Sequence, residues 1–254
     1  MAIFRFLLMI ICLLGAQEGF AKTFRQEFMV EAGVFDAAKV SIDFEPFDDK
    51  YVIATEVQTA NVFGSLYPFW AKYEARGSLK KNDVVPLFYL TKTKTRNHQR
   101  EKKIFYDKNG VAYKRVSKKD DKESQKMINN VPKSSDAADL QSVFAELMIG
   151  WRKSKSCNLE REIYDGKKHY KVIVEDKGIE NRWFDFLDKK QNTHKCSVYI
   201  KNLKENNDNI LWDVSADKPI NMWIYENKES GFFEIYEINI DKTMVGSIVV
   251  YPLK

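Results

Sequence analysis

Apolar and polar residues alternate with a period of two along much of the chain. Where this pattern begins, Phe24, Phe28 and Val30 share one parity, while Arg25 and Glu27 take the other. Such alternation is typical of β-strands with one buried face and does not match the 3.6-residue period of a helix. Further strands are predicted at 39–45, 51–58, 72–79, 87–96, 169–175, 196–201, 210–215, 221–226, 232–240 and 245–251.

One segment carries a helical pattern instead. Six apolar residues recur at i, i+3, i+4, i+7, i+8 and i+11, which is the stripe of an amphipathic helix; they are Leu140, Val143, Phe144, Leu147, Met148 and Trp151. Ser135 or Asp136 is predicted to cap this helix, and Gly150 lies near its end. We therefore predict a mainly β fold with minor α: a curved antiparallel sheet, or half-open barrel, packed on one or two helices.

Three connecting segments stand out. Asn109-Gly110 separates two apolar runs and predicts a β-hairpin. The segment 61–70 is apolar without alternation, which predicts a short helical turn or an inward-folded loop. Residues 118–138 are polar and charged, which predicts a mobile loop rather than a domain boundary.

The first 21 residues have the form of a secretory signal peptide. Arg5 precedes an unbroken apolar run from Phe6 to Ala16, and cleavage is expected after Ala16 or Ala21. The run is too short to cross a bilayer, which takes about 20 apolar residues. Residues 22–254 are therefore expected to be one exported, β-rich domain with no transmembrane segment.

Removal of that peptide would take Cys12 with it and leave Cys157 and Cys196. Disulfides form and persist in exported proteins, so a bridge between these two residues is expected. The chain-entropy model assigns about 4 kcal/mol to closing a loop of this length. The alternative is a pair of free, buried thiols. Two cysteines without paired spacing do not suggest a zinc site.

Familiar catalytic motifs are not found in the sequence. It contains no GxSxG elbow, no GxxxxGK[ST] loop and no GxGxxG turn. His98, His169 and His194 stand at no metal-ligand spacing and are expected on the surface. We expect no enzyme, cofactor or metal site, although residues scattered through the sequence leave a hydrolase open. A net charge of +5 is too small to indicate nucleic acid as a partner.

A curved sheet can enclose a cavity for an apolar or lipid ligand. The apolar residues of 61–70 and of the helix stripe are candidates for its wall. The candidate residues are Val62, Phe63, Leu66, Tyr67, Trp70, Phe144 and Trp151. The alternative is that these residues form ordinary core.

A second candidate site is a basic stripe on the hairpin 90–103, which could receive phosphate or anionic headgroups. Its residues are Lys92, Lys94, Arg96, Arg100 and Lys102. The alternative is the solvated face of a long hairpin, where lysines also deter pairing at a sheet edge.

Several segments, in this order, resemble the exported bacterial family known as domain of unknown function 3108. They are 60–79, the strand after Pro86 with its basic hairpin, 139–147, 157–172 and 195–200. The strongest match is Cys157 followed by Asp-Gly-Lys-Lys-His-Tyr at 165–170, with Cys196 opening a later strand. The chain departs from the family pattern in the charged 118–138 insert and after Gly178, where a Pro/Gly-rich turn is missing.

The resemblance implies export in a Gram-negative bacterium and therefore a periplasmic location. It implies a fold similar to lipoprotein-localisation carriers, with a curved, half-open antiparallel barrel over helices. It supplies no catalytic residue, and it makes Cys157 and Cys196 a staple between two C-terminal strands.

The expected function is non-catalytic: binding or carrying an apolar or lipid ligand during envelope maintenance. The alternative is a structural or scaffolding partner of an envelope protein complex, without a small ligand. The expected partners are thus a lipid or other apolar small molecule, or an envelope protein. The two hypotheses differ in whether the interior is an open cavity or a filled core.

Overall fold

A computed structural model describes residues 23–80, 83–128, 138–164, 169–203, 218–243 and 246–253. Within these ranges the strands are β1 (Phe24–Ala32), β2 (Phe35–Phe47), β3 (Lys50–Thr59), β4 (Phe69–Lys80), β5 (Asp83–Thr95), β6 (Gln99–Tyr106), β7 (Ala112–Lys119), β8 (Lys122–Met127), β9 (Leu159–Tyr164), β10 (His169–Phe184), β11 (Lys189–Asn202), β12 (Ile220–Glu226), β13 (Phe233–Thr243) and β14 (Gly246–Pro252). The helices are α1 (Asn61–Leu66) and α2 (Leu140–Ser154), with a 3-10 turn at Asp185–Leu187. The predicted signal peptide and the strand predicted at 210–215 lie outside the described residues.

All fourteen strands belong to one antiparallel sheet. Strands β1–β8 neighbour each other in chain order, as do β9–β14, and the two runs join where β1 pairs with β14. In that pairing Phe28 lies opposite Pro252 and Val30 opposite Val250. Segments near both ends of the described chain therefore form the middle of the sheet, and β8 and β9 are its edges.

Helix α2 packs on one face of the sheet, which we call the inner face. On β3, the Tyr51 hydroxyl lies 2.7 Å from the Ser142 hydroxyl of the helix. On β13, the Phe233 ring lies 5.9 Å from the Trp151 ring, measured between centroids. Because strands from both halves of the sheet contact one helix, the sheet curls around it. The predicted curved antiparallel sheet packed on a helix is confirmed.

Helix α2 begins at a carboxylate cap. Asp139 accepts hydrogen bonds from the Ser142 amide at 2.8 Å and from the Ser142 hydroxyl at 2.6 Å. These bonds satisfy donors that the first helical turn leaves without partners. The helix ends before Lys155, whose φ of 52° is left-handed. The cap in the structure is thus Asp139, whereas the predicted caps Ser135 and Asp136 lie outside the described residues.

Of two connections predicted from the sequence, the hairpin turn at Asn109-Gly110 is confirmed and the charged loop at 118–138 is partly wrong. Asn109-Gly110 lies in the turn between β6 and β7 as predicted, and Gly110 has a φ of +80°. The loop predicted at 118–138 is instead partly strand, because β7 runs to Lys119 and β8 follows at Lys122–Met127. Every residue of β8 is exposed. This edge strand therefore has no apolar alternation that would predict it, and residues 129–137 lie outside the described chain.

The segment 61–70 divides between a helix and a strand. Helix α1 forms its first part, none of the helix residues is buried, and β4 begins at Phe69. Of the two predicted forms, the short helical turn is confirmed.

Cys157 and Cys196 form the predicted disulfide, with an S–S distance of 2.07 Å. Both residues are fully buried. Cys157 precedes β9 and Cys196 lies in β11, so the bridge passes over β10. Asp176 of β10 pairs with Cys196 and accepts a hydrogen bond from the Cys157 amide at 3.3 Å. The disulfide therefore links β9, β10 and β11 at this edge of the sheet.

Candidate functional site: a cationic arc and an aliphatic floor

The sheet register decides which side chains share the inner face, because directly paired residues of an antiparallel sheet point to the same side. The face can be followed from β3 to β6 through the pairs Ile53–Ala75, Ala75–Tyr89 and Tyr89–Ile104. All four residues are buried. The inner face is thus ordinary core as far as the middle of β6.

Beyond Ile104 the inner face becomes strongly basic. Ile104 pairs with Arg115 of β7, and Arg115 pairs with Lys126 of β8, so both cations lie on the inner face. The other inner positions towards the start of β6 and along β7 and β8 follow at every second residue. Six of these positions carry a cation, and we call them the cationic arc: Arg100, Lys102, Arg115, Lys119, Lys122 and Lys126. No inner position of β6, β7 or β8, which are fully described strands, holds Asp or Glu.

Like charges lie directly opposite each other in the cationic arc. Arg100 of β6 pairs with Lys119 of β7, which sits opposite Lys122 across the next turn. Arg115 pairs with Lys126 in the same way. Facing like charges are unfavourable in a sheet. Among the described residues, Arg100, Lys119, Lys122 and Lys126 form no ion pair, whereas Lys102 and Arg115 each have an interaction partner.

The single acid of β6, Glu101, lies on the outer face instead. Glu101 forms ion pairs with Lys103 at 2.7 Å and with Lys92 at 3.2 Å. The hydrogen bond from Lys103 lowers the pKa of Glu101, and Lys92 adds to the effect. Lys92 and Lys103 on the outer face are therefore paired with a carboxylate of the sheet, whereas Arg100, Lys119 and Lys122 on the inner face lie opposite other cations.

The cationic arc lines an open groove of about 920 Å³. Its wall is of mixed charge. The cations that line it are Arg100, Lys102, Arg115, Lys118, Lys119 and Lys122, and the acids are Glu101, Asp120, Asp121 and Glu123. The groove also contains polar groups that accept or donate hydrogen bonds. The Ser117 hydroxyl accepts a hydrogen bond from Arg115 Nε at 3.1 Å, and Ser124 pairs with Ser117. Lys102 Nζ lies 5.7 Å from the centre of the Tyr89 ring, a cation–π contact at the border with the core.

The other half of the inner face is aliphatic. Val30 pairs with Val250, Val250 with Ile238, and Ile238 with the buried Met222. With neighbours of the same face these residues form what we call the aliphatic floor: Val30, Val40, Val198, Ile200, Ile238 and Val250. All six are only partly buried. The floor packs against the buried core, and among the described residues part of its apolar surface stays uncovered.

Under α2 the interior is filled. Trp151 is 1% exposed and Phe233 is fully buried, and Phe144 packs edge-on against Phe233 with centroids 5.9 Å apart. His194 contacts Trp151 from β11, with ring centroids 4.9 Å apart. The apolar stripe of α2 is therefore ordinary core, and the partly buried aliphatic floor lies on strands to one side of it.

The structure does not bring the seven predicted cavity residues into one wall. Phe144 and Trp151 lie in the core, as just described. Trp70 neighbours the inner residue Ala71 on β4 and points outward, where it lines a groove with Lys94 and Arg96. The remaining four lie on α1 or directly after it, in a third place; they are Val62, Phe63, Leu66 and Tyr67.

The predicted anionic-headgroup patch is also divided, because the register sets its two strands in opposite parity. Lys92 pairs with Glu101 and Lys94 with Gln99, which places both lysines on the outer face. Arg100 and Lys102 lie on the inner face and belong to the cationic arc. Arg96, in the turn between β5 and β6, donates a hydrogen bond to the Ser65 carbonyl at 3.0 Å. The rest of the arc was not predicted from the sequence, because it lies in segments whose pattern indicates a hairpin and a charged loop.

Each histidine lies beside a carboxylate. His98 is exposed and sits 3.3 Å from Asp120. His169 lies 2.8 Å from Glu162 and His194 lies 3.6 Å from Asp176, and both of these histidines are partly buried rather than on the open surface as predicted. No group of three or more His, Cys, Asp or Glu side chains that would hold a metal ion occurs in the described part of the chain. None of the helices described here has the length and apolar character needed to cross a membrane.

The comparisons with known proteins concern family and fold. Residues 27–248 match the family described as Protein of unknown function (DUF3108). No curated protein matches the chain. A solved structure from Brucella abortus, titled as a beta-barrel-like protein of domain of unknown function DUF1849, is similar with a TM-score of 0.52 and 10% identity, covering 91% of this chain and 95% of that chain. At this identity the likeness shows the fold alone. Because the family match spans most of its length, the chain belongs to the DUF3108 family.

Proposed function

We propose that this protein binds and carries an anionic amphipathic molecule on its inner face. The apolar tail would lie on the aliphatic floor and the anionic headgroup on the cationic arc. The observation that carries the proposal is the presence of both surfaces on the inner face of one curved sheet, with the core packed under α2 between them in strand order. A ligand with only a tail or only a charge would leave one of the two surfaces without a role.

The cationic arc supports an anionic headgroup through its cross-strand geometry. Arg100, Lys119 and Lys122 lie side by side across three strands, and their mutual repulsion disfavours the free protein. A phosphate or carboxylate between them replaces repulsion with charge-assisted hydrogen bonds, to which an arginine contributes two parallel donors.

The aliphatic floor supports a hydrocarbon tail because its residues keep apolar surface in contact with water. Covering such surface yields about 25 cal/mol for each Å² removed from water. A single acyl chain matches the concave, aliphatic character of Val198, Ile238 and Val250 better than a rigid polar solute does.

The proposed role is non-catalytic and located in the periplasm, where the carrier would act in envelope maintenance. The disulfide and the signal-like N-terminal sequence support an exported protein. The location and the absence of catalysis are parts of the proposal and are tested separately, by fractionation of cells that express the protein and by assay of the purified protein.

The experiment is native mass spectrometry of the purified protein, followed by titration with lysophosphatidylglycerol and lysophosphatidylcholine of the same chain length. We expect retained lipid mass and tighter binding of the anionic lipid. Val250→Asp, on the floor, should weaken binding roughly tenfold or more, because a carboxylate would replace apolar contact. Val249→Asp is the matched control, since Val249 pairs with Asn239 on the outer face.

Equal affinity of Val250→Asp and Val249→Asp for the anionic lipid would contradict the proposal, provided both variants unfold at the wild-type urea midpoint. Absence of binding by the wild-type protein would also contradict it. That second result would favour the scaffolding hypothesis, and crosslinking in the periplasm would then identify the partner.

A further inference from the structure

Five large apolar side chains are strongly exposed at one end of the sheet. We call them the apolar rim: Val34, Phe35, Val62, Leu66 and Tyr67. Their exposed fractions lie between 57 and 87%. Single exposed apolar residues are common on protein surfaces, but a contiguous group marks an interaction site.

Contacts join the two parts of the chain that carry the apolar rim, the β1–β2 hairpin and the segment of α1. The Phe35 ring, at the start of β2, packs edge-on against the Phe63 ring of α1 with centroids 6.3 Å apart. Beside this pair, Asn61 Nδ2 donates to Asp36 Oδ2 at 3.1 Å. The Ala60 amide donates to the Ala37 carbonyl at 2.9 Å. Helix α1 is therefore fixed to the end of the β1–β2 hairpin, which carries Val34 in its turn.

Cations border the apolar rim. Arg96 Nη2 donates to the Ser65 carbonyl at 3.0 Å, which holds a guanidinium beside Leu66. Lys94 and Arg100 flank the same turn, between β5 and β6. The next turn at this end, between β7 and β8, is acidic, but Asp120 is engaged there by the Gln99 amide at 3.0 Å and by His98.

We propose that the apolar rim docks on the surface of a bilayer that contains anionic lipids. Exposed aliphatic and aromatic side chains that stand beside basic ones match the two layers of such a surface, with acyl chains below and phosphates above. Tyr67 suits the boundary because its ring is apolar and its hydroxyl polar. The interface is peripheral, since α1 has six residues and none of the rim extends deep enough to span the bilayer.

The test is sedimentation of the purified full chain with phosphatidylcholine vesicles, prepared with and without phosphatidylglycerol. We expect binding that rises with the phosphatidylglycerol fraction and falls with added salt. The triple variant Val34→Ser, Val62→Ser, Leu66→Ser should bind at least roughly tenfold more weakly, because three side chains that enter the interface lose their apolar surface. Arg96→Gln should reduce the preference for phosphatidylglycerol while leaving binding to phosphatidylcholine unchanged.

The matched control is Leu87→Ser with Ile179→Ser, which removes exposed apolar residues away from the rim and should bind like wild type. The single variant Tyr67→Ser repeats the test if the triple variant has a lower urea midpoint. Wild-type protein that does not sediment with phosphatidylglycerol vesicles, or a rim variant that binds like wild type, would overturn the proposal. Binding of monomeric lysophosphatidylglycerol should be unchanged in the rim variant. Vesicle sedimentation therefore tests the docking surface, and lysophosphatidylglycerol binding tests the proposed ligand site, so either proposal can be contradicted without the other.

Discussion

The Tyr51 hydroxyl of β3 lies 2.7 Å from the Ser142 hydroxyl of α2. Because Ser142 donates to the Asp139 carboxylate, Tyr51 acts as the donor to Ser142. Burial and the nearby carboxylate raise the pKa of Tyr51 far above its ordinary value, so this donor keeps its proton. A buried chain of hydrogen bonds thus ties the helix that fills the interior to the sheet that surrounds it.

Tyr51→Phe should lower the free energy of unfolding by about 1 kcal/mol, the usual net contribution of one buried hydrogen bond. Ser142 keeps its bond to Asp139, so no buried group loses its only partner. Urea unfolding measures the change, with Tyr113→Phe as control because Tyr113 is exposed. Equal losses in the two variants would show that the Tyr51–Ser142 bond has no net effect on stability.

Asp139 makes stability depend on pH in an unusual direction. Burial raises its pKa from 3.8 to about 6, against the opposing effect of the hydrogen bonds from Ser142. The folded protein therefore holds a proton that the unfolded chain has released between these values, so stability decreases as pH rises from about 4 to about 6. By linkage the total is about 3 kcal/mol.

Asp139→Asn removes this titration and keeps a good helix cap. The difference in unfolding free energy between wild type and variant should favour wild type most at pH 4 and shrink towards pH 7. Urea unfolding at a series of pH values gives this difference directly. A difference that stays constant, or grows with pH, would contradict the assigned pKa direction.

Gly77 of β4 faces Tyr51 at a distance that leaves no room for a side chain. A Cβ atom there would lie 2.2 Å from the Val85 carbonyl oxygen and 2.5 Å from Tyr51 Cε1. We expect Gly77→Ala to destabilise the fold by about 1–3 kcal/mol or more through overpacking. Gly150→Ala is the control, because a Cβ there meets nothing within 4 Å and α2 should gain about 1 kcal/mol. Thermal unfolding of both variants should give shifts of opposite sign, and shifts of the same sign would contradict this account.

The disulfide should be out of reach of reductant in the folded protein. Cys157 and Cys196 are fully buried, so thiol labelling after mild reduction should require denaturant. The double variant Cys157→Ser, Cys196→Ser should lose about 4 kcal/mol of unfolding free energy, the chain-entropy value for this loop. Urea unfolding of the variant and of the wild-type protein, both without reductant, measures the loss. Rapid labelling of the native protein would show instead that this edge of the sheet opens readily.

The strands and the long helix could be predicted because one-sided burial leaves a period of two or 3.6 in the sequence. Strand β8 could not, because it is stabilised by pairing with β7 while every side chain stays in water. The cationic arc was missed for a related reason. Lysines at alternate positions of a charged segment give no sign of which face they occupy.

The division of the predicted basic stripe shows where sequence reasoning stops. Lys92 and Arg100 were placed on one surface because they lie in one hairpin. The turn sets Lys92 opposite Glu101 and Thr93 opposite Arg100, which sends the two cations to opposite faces. A different turn length would reverse this assignment. Strand register is a property of the folded sheet, and it decides which cations of this hairpin share a face.

The cationic arc is tested most directly by a pair of double variants with equal change in net charge. Arg100→Glu with Lys119→Glu reverses a cross-strand pair on the inner face, whereas Lys94→Glu with Lys50→Glu reverses two exposed outer lysines that do not line the groove of the arc. The measurement is the affinity of each for lysophosphatidylglycerol at fixed ionic strength. We predict that the inner variant binds roughly tenfold or more weakly than wild type while the outer variant binds like wild type. Equal affinities of the two variants, both folded to the wild-type urea midpoint, would contradict the assignment of the anionic headgroup to the inner face.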